Sequence, residues 1–324
     1  MTQDQLVAPC PLQRHAIEVV LLDESECGVS DVQVELRGPD ARVLSDLTGV
    51  DGSVRFDGLP SGSYTIGLPE LDREAWSPLR QAALPPGLAA SSGDAPWAAP
   101  AAAIAAAPLL HRTEPGDCLS SIALRYGFFP DTIWAESPNQ ALPKDRSQGW
   151  TLKPGDRIQI PAKRPGELTA AVGQRYVLRR RGVPEILRLR FLDVHGAARA
   201  GVAYLFAVRA ASGDPIADRT GKTDGQGFLS EPIPPDAIDG QIQLQSGDGV
   251  EIYDYKLGTV DPNSECSGWM ARLWNLGFQW TVRDAPDPDQ LKEMLSAFQV
   301  LNNLPVTGEP DEATRGKLET LHLS

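Results

Sequence analysis

One segment, residues 111–161, restricts the fold of this chain most, because its apolar residues follow first a helical spacing and then a strand spacing. Four apolar residues recur at intervals of three and four positions, the spacing of one helix face. They are Leu119, Ile122, Ala123 and Tyr126. Asp117, just before them, is the expected N-cap. Residues 157–160 alternate polar with apolar side chains and stop at a proline, which indicates a half-buried strand. The predicted order is strand, helix, helix, strand.

The same segment resembles a LysM domain. The positions that carry the resemblance are His111, Gly116, Asp117, Leu119, Ile122, Ala123, Tyr126, Gly127, Trp134, Asn139, Leu152, Pro154, Gly155, Asp156, Ile158, Ile160 and Pro161. The resemblance implies a domain over residues 109–163 that binds an N-acetylglucosamine-containing glycan, such as peptidoglycan or chitin, in a shallow groove between two loops. The residues it assigns to that groove are Gly116, Asp117, Cys118, Leu119, Trp150, Leu152, Pro154 and Gly155.

The groove loops have two unusual features. Their glycines let the backbone approach a sugar, so that amide groups rather than charges meet the N-acetyl group. Cys118 stands where the family has Ser or Thr, so a weak thiol hydrogen bond replaces that of a hydroxyl. Residues 144–150 lengthen the usual connection and either cover the groove or enlarge it.

Length and composition limit the other functions. A chain of 324 residues predicts two to four domains. Its 30 glycines and 28 prolines favour turn-rich β domains. The formal net charge of -13 repels nucleic acid and anionic membranes, so neither is an expected partner. The chain also has no apolar run of about 18 residues, so no membrane span is expected.

The N-terminus and the cysteines bear on the cellular compartment. Residues 1–14 show no basic segment followed by an apolar stretch, so no Sec signal is expected. The four cysteines have no Cys-x-x-Cys spacing and no clustered histidines, which argues against zinc, and no cofactor is expected. Two alternatives stay open for Cys10 and Cys27: a disulfide between them, or reduced thiols in a protein made in the cytoplasm.

Alternating residues in 17–37 predict an N-terminal β domain over residues 1–80. The following stretch, residues 48–66, has Asp51-Gly52 at one turn and Leu59-Pro60 at the next, with inward apolar residues between them. This stretch resembles carboxypeptidase-regulatory-like domains, which are small sandwiches of the transthyretin type. An Ala/Pro-rich linker is predicted over residues 81–108.

A weaker copy of this pattern predicts a second β-sandwich over residues 164–262. Residues 187–193 are aligned with 19–23, Gly201-Val202 with Gly28-Val29, and Asp224-Gly225 with Asp51-Gly52. Sandwiches of this kind serve as rigid spacers or docking platforms, and we expect that role for both copies.

Residues 263–324 follow a helical pattern and resemble the three-helix peptidoglycan-binding domain of cell-wall hydrolases. The match is closest from Phe298-Gln299 to Asp311-x-x-Thr314, whereas residues 284–290 depart from the family's first repeat. Phe298 and Leu273 are expected in the core. The predicted fold class is therefore multidomain and mainly β, with two small β-sandwiches, one βααβ LysM module and one C-terminal three-helix module resembling the peptidoglycan-binding domain.

No catalytic centre is evident in the sequence. A Gly-x-Ser-x-Gly turn is missing, and His15, His111, His195 and His322 are scattered one per predicted domain. We therefore expect a protein that is not an enzyme.

The order of modules resembles the LysM-containing accessory proteins encoded beside spike and effector genes of type VI secretion systems. That resemblance implies synthesis in the cytoplasm and export to the periplasm of a target cell. The first hypothesis is a non-catalytic adaptor or cargo protein that binds peptidoglycan or another N-acetylglucosamine glycan and partners a spike protein or effector. The second is a protein-docking scaffold or effector chaperone with degenerate glycan sites. The third is a wall hydrolase with an unrecognised active site.

Overall fold

The computed structural model describes residues 15–84, 107–143, 146, 151–193, 195–210, 218–247, 249–258, 260–281 and 286–322. The fold is mainly β, with several sheets, short helices between them and a helical C-terminal region. The described residues form two compact units. The first lies within Met1–Ala107, Tyr126–Phe129 and Ala162–Val183, and the second within Pro108–Arg125, Pro130–Pro161 and Pro184–Ser324.

The strands of the first unit are β1 (His15–Leu22), β2 (Gln33–Arg37), β3 (Val43–Leu47), β4 (Ser53–Leu59), β5 (Ser63–Gly67), β6 (Trp76–Ala83), β9 (Glu167–Ala171) and β10 (Gln174–Arg180). They build two four-stranded sheets, of order β4-β1-β10-β6 and β3-β2-β5-β9. All neighbours are antiparallel except β1 and β10, which are parallel. Alternate side chains of both sheets point into one apolar core, as the period-two pattern predicts.

The first unit ends differently from the prediction. Residues 167–180 were assigned to a second sandwich starting at residue 164, but β9 pairs with β5, and β10 lies between β1 and β6. Strand β6 also continues to Ala83, past the predicted linker start at residue 81. Hydrogen bonding explains both differences, because each of these strands fills a position beside an otherwise unpaired edge. Residues 85–106 of the predicted linker lie outside the described residues.

The second unit begins with β7 (Leu109–Arg112), α1 (Leu119–Tyr126), α2 (Pro130–Trp134), α3 (Ser137–Gln140) and β8 (Arg157–Ile160). Strands β7 and β8 pair antiparallel, and α2 and α3 pack against β8. Leu119 and Ile122 of α1 are buried together with Ile158 and Ile160 of β8. This region therefore has the expected strand–helix–helix–strand order with one additional short helix.

The rest of the second unit contains β11 (Glu185–Arg190), β12 (Ala203–Ala210), β13 (Arg219–Lys222), β14 (Phe228–Ile233), β15 (Ala237–Ser246), β16 (Gly249–Lys256), α4 (Cys266–Asn275), α5 (Pro288–Leu301) and α6 (Glu312–His322). Its sheets have the orders β11-β14 and β13-β12-β15-β16, and their inner faces share one apolar core. The three helices bury a separate core, where Phe298 and Leu273 are fully buried as expected.

The internal repeat exists in the hydrogen bonds, with a corrected register. Leu21 N donates to Gly52 O at 2.8 Å, and Phe191 N donates to Gly227 O at the same distance. The counterpart of Asp51-Gly52 is therefore Gln226-Gly227, not Asp224-Gly225. The hydroxyls of Thr48 and Thr223 likewise donate to Val29 O and Arg199 O.

A second pair of bonds corrects the other predicted alignment. Thr48 N donates to Val32 O and Thr223 N to Val202 O, each at 3.0 Å, so Val202 corresponds to Val32 and not to Val29. Thr48 follows Val32 by 16 positions and Thr223 follows Val202 by 21, so the second copy carries extra residues in that stretch while the turn geometry stays the same.

Candidate functional site

The first predicted groove loop is held together by the carboxylate of Asp117. This buried group accepts hydrogen bonds from Glu114 N at 2.8 Å and Arg125 Nη2 at 3.1 Å, and His111 Nε2 lies 3.0 Å away. Asp117 is therefore committed to the fold of the loop, and its charge faces protein groups rather than a ligand. His111, one of the positions that carry the LysM resemblance, is buried beside it.

The residue that caps helix α1 is Cys118, not Asp117 as predicted. Cys118 N donates to Ser121 Oγ at 2.9 Å, and Ser121 N lies 3.4 Å from Cys118 Sγ. The two residues form a reciprocal cap in which sulfur takes the place of a hydroxyl. Burial raises the pKa of the Cys118 thiol, so it stays protonated at neutral pH.

The second predicted loop is fixed by a buried ion pair that the sequence analysis did not identify. The guanidinium of Arg146 binds both carboxylate oxygens of Asp156, at 2.6 and 3.2 Å. The same carboxylate also accepts a hydrogen bond from the backbone N–H of Lys153 at 2.9 Å. Asp156 therefore binds both the Arg146 side chain and the Lys153 backbone. Arg146 belongs to the long connection at residues 144–150, most of which lies outside the described residues.

Thr113 brings the two loops together at the end of β7. Its hydroxyl donates to Lys153 O, and its carbonyl accepts Gly155 N at 2.8 Å. The next residue, Glu114, donates its N–H to Asp117. The backbone N–H groups of Cys118 and Gly155 are thus already bonded within the protein, which leaves fewer amides for an N-acetyl group than expected.

The predicted groove residues differ in their exposure. Gly116 and Pro154 are exposed, and Gly155 and Cys118 are half-buried. Leu119 and Leu152 are each only 1% exposed, so they could meet a ligand through their backbone alone. Trp150 lies outside the described residues.

Asn139 has a structural role that its place in the predicted LysM-like pattern did not reveal. Its amide nitrogen donates to Ile133 O at 2.6 Å and to Gln159 O at 2.9 Å, and its oxygen accepts Gln159 N at 2.7 Å. This fully buried side chain therefore pairs with β8 as a neighbouring strand would.

Both groove loops contact other parts of the second unit. Cys118 Sγ lies 3.9 Å from Pro235 O, at the turn before β15. A Cβ atom on Gly258 would lie 3.2 Å from Gly116 O. Lys153 forms an ion pair with Glu265, just before α4. One side of the candidate groove is therefore bounded by neighbouring segments of the same unit.

The C-terminal helices hold a second candidate site, organised by Gln299. This fully buried amide lies on α5. Its oxygen accepts Thr307 N and Gly308 N, each at 2.9 Å. Its nitrogen lies 2.9 Å from the hydroxyls of Thr307 and Thr314 and 3.0 Å from Glu309 O. One side chain thus fixes the whole loop between α5 and α6.

Asp311 completes that loop as the cap of α6. Its carboxylate accepts Thr314 N at 2.8 Å and the Thr307 hydroxyl at 3.0 Å. The bond from Thr314 N is the main cause that lowers the pKa of Asp311. One hydrogen-bonded loop therefore explains the spacing of the motif, Phe298-Gln299 to Asp311-x-x-Thr314.

The segment that departs from the family's first repeat has its own amide contact. Gln290 Oε1 accepts Thr281 N at 3.1 Å, and its nitrogen donates to the Thr281 hydroxyl at 2.9 Å. Asp287 caps α5 by accepting Asp289 N and Gln290 N. Residues 282–285 lie outside the described residues.

The described part of the chain contains neither a cluster of metal-ligating side chains nor a helix suited to cross a membrane. No group of three or more His, Cys, Asp or Glu side chains in it lies close enough to hold a metal ion. None of its helices combines the length and the apolar character needed to cross a membrane.

Comparison with known families identifies the class of the C-terminal module. Residues 271–318 match the family model described as "Putative peptidoglycan binding domain". These residues include Gln299, Asp311 and Thr314, so the match coincides with the hydrogen-bonded loop. It supports peptidoglycan binding and a cell-wall-binding role. No curated protein matches the chain.

Solved structures that match this chain include a Bacillus anthracis protein and a Lactobacillus rhamnosus pilin. The Bacillus anthracis TIE protein is 10% identical with a TM-score of 0.23, covering 76% of this chain and 32% of that one. This chain thus spans about a third of its length. The shaft pilin SpaA from Lactobacillus rhamnosus GG is 7% identical with a TM-score of 0.25, covering 77% and 95%. TM-scores this low transfer neither a fold nor a function.

Proposed function

We propose that this chain is a non-catalytic peptidoglycan-binding adaptor or cargo protein that works with a type VI secretion spike or effector. The observation that carries the proposal is the family match of residues 271–318, where Gln299 holds the matched loop in one conformation. The type VI context, the absence of enzymatic activity and the delivery to the periplasm of a target cell are parts of the proposal supported by the order of modules in the sequence.

The strand–helix–helix–strand region is proposed as a second, LysM-type glycan site. Its order of elements and the exposed backbone at Gly116 and Pro154 support this assignment. Two weak sites on one chain raise the apparent affinity for a polymer, because binding of one site raises the effective concentration of the other. We therefore propose that the protein binds the wall through avidity.

The first experiment measures retention of the purified full-length chain on insoluble peptidoglycan. We expect retention at low salt and competition by soluble peptidoglycan fragments. A folded chain that stays in the supernatant would refute wall binding. Release of muropeptides from sacculi would instead support the hydrolase hypothesis and refute the non-catalytic proposal.

A matched pair of glycine variants tests the LysM-type site. Gly116 has a φ of 92°, and a Cβ atom there would meet nothing within 4 Å. Asn tolerates positive φ better than most residues, so Gly116→Asn adds a side chain at the candidate groove with less strain than other substitutions. Gly173→Asn is the control, because Gly173 has a φ of 76° and the same open surroundings. We expect weaker binding of chitooligosaccharides by the first variant alone, measured by calorimetry, and equal affinities would refute this site.

A second candidate function is a protein-docking scaffold with degenerate glycan sites. The contacts of Cys118 with Pro235 and of Gly116 with Gly258 favour it, because they occupy part of the candidate groove. Co-purification with a co-expressed spike protein that does not change on addition of glycan would support the scaffold over the glycan binder.

A further inference from the structure

The second β region lacks, among the described residues, two strands that its counterpart in the first unit contains. The sheet β13-β12-β15-β16 matches β3-β2-β5-β9 strand for strand. In the other sheet, β1 lies between β4 and β10, whereas its counterpart β11 has β14 as its only neighbour among the described strands. The hydrogen bonds of Leu21 and Phe191 establish that β1 and β11 are equivalent. The edge of β11 that corresponds to the β10 side of β1 is therefore unpaired in the described structure.

Exposure along the two strands reflects this difference. Ala16 and Leu22 of β1 are 8% and 9% exposed, whereas their counterparts Ile186 and Leu192 are 60% and 44% exposed. The inward residues of β1 are fully buried, but those of β11, Leu187 and Leu189, are only partly buried. Inward apolar residues of a strand next to β11 would bury Leu187 and Leu189 further, whereas Ile186 lies on the outward face.

The charged residues on the outward face of β11 indicate which charge a neighbouring strand should carry. In the first unit Glu18 of β1 forms an ion pair with Arg175, the residue opposite it on β10. The counterpart of Glu18 is Arg188, and its guanidinium lies over the Phe228 ring at 4.1 Å. Arg190, two residues further along the same face, also lies over that ring. Because the charge is reversed, a strand suited to this edge has an acidic residue opposite Arg188.

We propose that the free edge of β11 binds an extended segment of a partner protein, which adds parallel to β11 with apolar residues inward and an acidic residue opposite Arg188. The partner thereby takes the position that β10 occupies in the first unit. Main-chain hydrogen bonds supply affinity, and the alternating side chains supply specificity. This inference is independent of glycan binding.

The probe is a labelled peptide with the sequence of residues 173–181 that carries Arg175→Glu. The same peptide without this substitution is used for comparison. Each is titrated into the full-length chain and into the Arg188→Glu variant, with fluorescence anisotropy as the readout. We expect the full-length chain to prefer the Glu peptide by about three- to ten-fold, and Arg188→Glu to prefer the unmodified peptide by a similar factor. This reversal of peptide preference would support the proposal. It is expected only if residue 175 of the bound peptide lies opposite residue 188.

Three results would overturn the proposal. The first is that neither peptide shows saturable binding up to about 1 mM, although circular dichroism shows that the chains are folded. The binding free energy would then be weaker than about 4 kcal/mol. The second is a peptide preference that Arg188→Glu leaves unchanged, which would place the binding elsewhere. The third is self-association of the chain in sedimentation equilibrium that Arg188→Glu abolishes, which would assign the edge to a second copy.

Discussion

Replacing Gln299 with leucine tests whether one buried amide holds the loop between α5 and α6. Leucine has a similar volume but no polar atoms, so Thr307 N and Gly308 N lose their acceptor. A buried donor left without a partner costs about 1–3 kcal/mol. The two donors together cost about 4 kcal/mol, and the added apolar contact offsets about 1 kcal/mol of this. The expected loss of stability of the loop is therefore about 3 kcal/mol.

Hydrogen exchange measured by mass spectrometry reports this loss locally. If the amides of residues 304–314 exchange through opening of the loop, 3 kcal/mol corresponds to exchange about 100-fold faster. Gln279→Leu is the control, because Gln279 lies in the same module and is exposed. Exchange in Gln299→Leu that stays within two-fold of the parent chain would refute the assigned role of the amide. Retention on peptidoglycan should fall together with loop protection if this module binds the wall.

Three further predictions concern other contacts. Gly127→Ala should lower the free energy of unfolding by about 3 kcal/mol or more in urea titration, because its Cβ would overlap Glu70 O at a φ of 74°; a midpoint equal to that of Gly173→Ala would contradict this. Arg146→Ala should lower the melting temperature through a loss of about 3 kcal/mol, because Asp156 stays half-buried without its guanidinium; an unchanged Tm would show that the pair is dispensable. Burial lowers the pKa of His322 to about 4. Between pH 6.5 and 4 the unfolded chain therefore binds a proton that the folded chain does not, so the free energy of unfolding should fall as the pH drops. His322→Gln should remove this fall in unfolding experiments followed by near-ultraviolet circular dichroism.

Local patterns predicted the elements of the strand–helix–helix–strand region well, because they depend on neighbours in sequence. The spacing of Leu119 and Ile122 placed them on the buried face of α1, and the alternation before Pro161 gave β8. The cap of α1 was wrong for a reason that is not local. Asp117 is the better cap by intrinsic preference, but His111 and Arg125 bind its carboxylate, and Cys118 caps the helix instead.

The sequence showed where the important polar side chains lie, but it did not explain their roles. Asn139 and Gln299 both stood in the recognised motifs, yet each acts through backbone groups that the fold brings to it. Arg146 gave no signal at all, since a single arginine in a polar connection has the usual pattern of a solvated loop. A half-buried partner ten residues away, Asp156, gives Arg146 its role.

Strand pairing shows the limit of sequence reasoning and also connects the two β regions. Alternation in residues 174–180 predicts a half-buried strand, but it does not say which strand lies beside it. The partner of Arg175 is Glu18, 157 positions earlier, so the sheet of the first unit closes only after the strand–helix–helix–strand region has been synthesised. That region can be inserted because its terminal strands β7 and β8 pair, which brings its two ends together.

Until β10 pairs with it, β1 has the same open edge that β11 keeps in the described structure. The first unit thus fills this edge with a later segment of its own chain, and the reversed charge at Arg188 makes that same segment a poor match for the second.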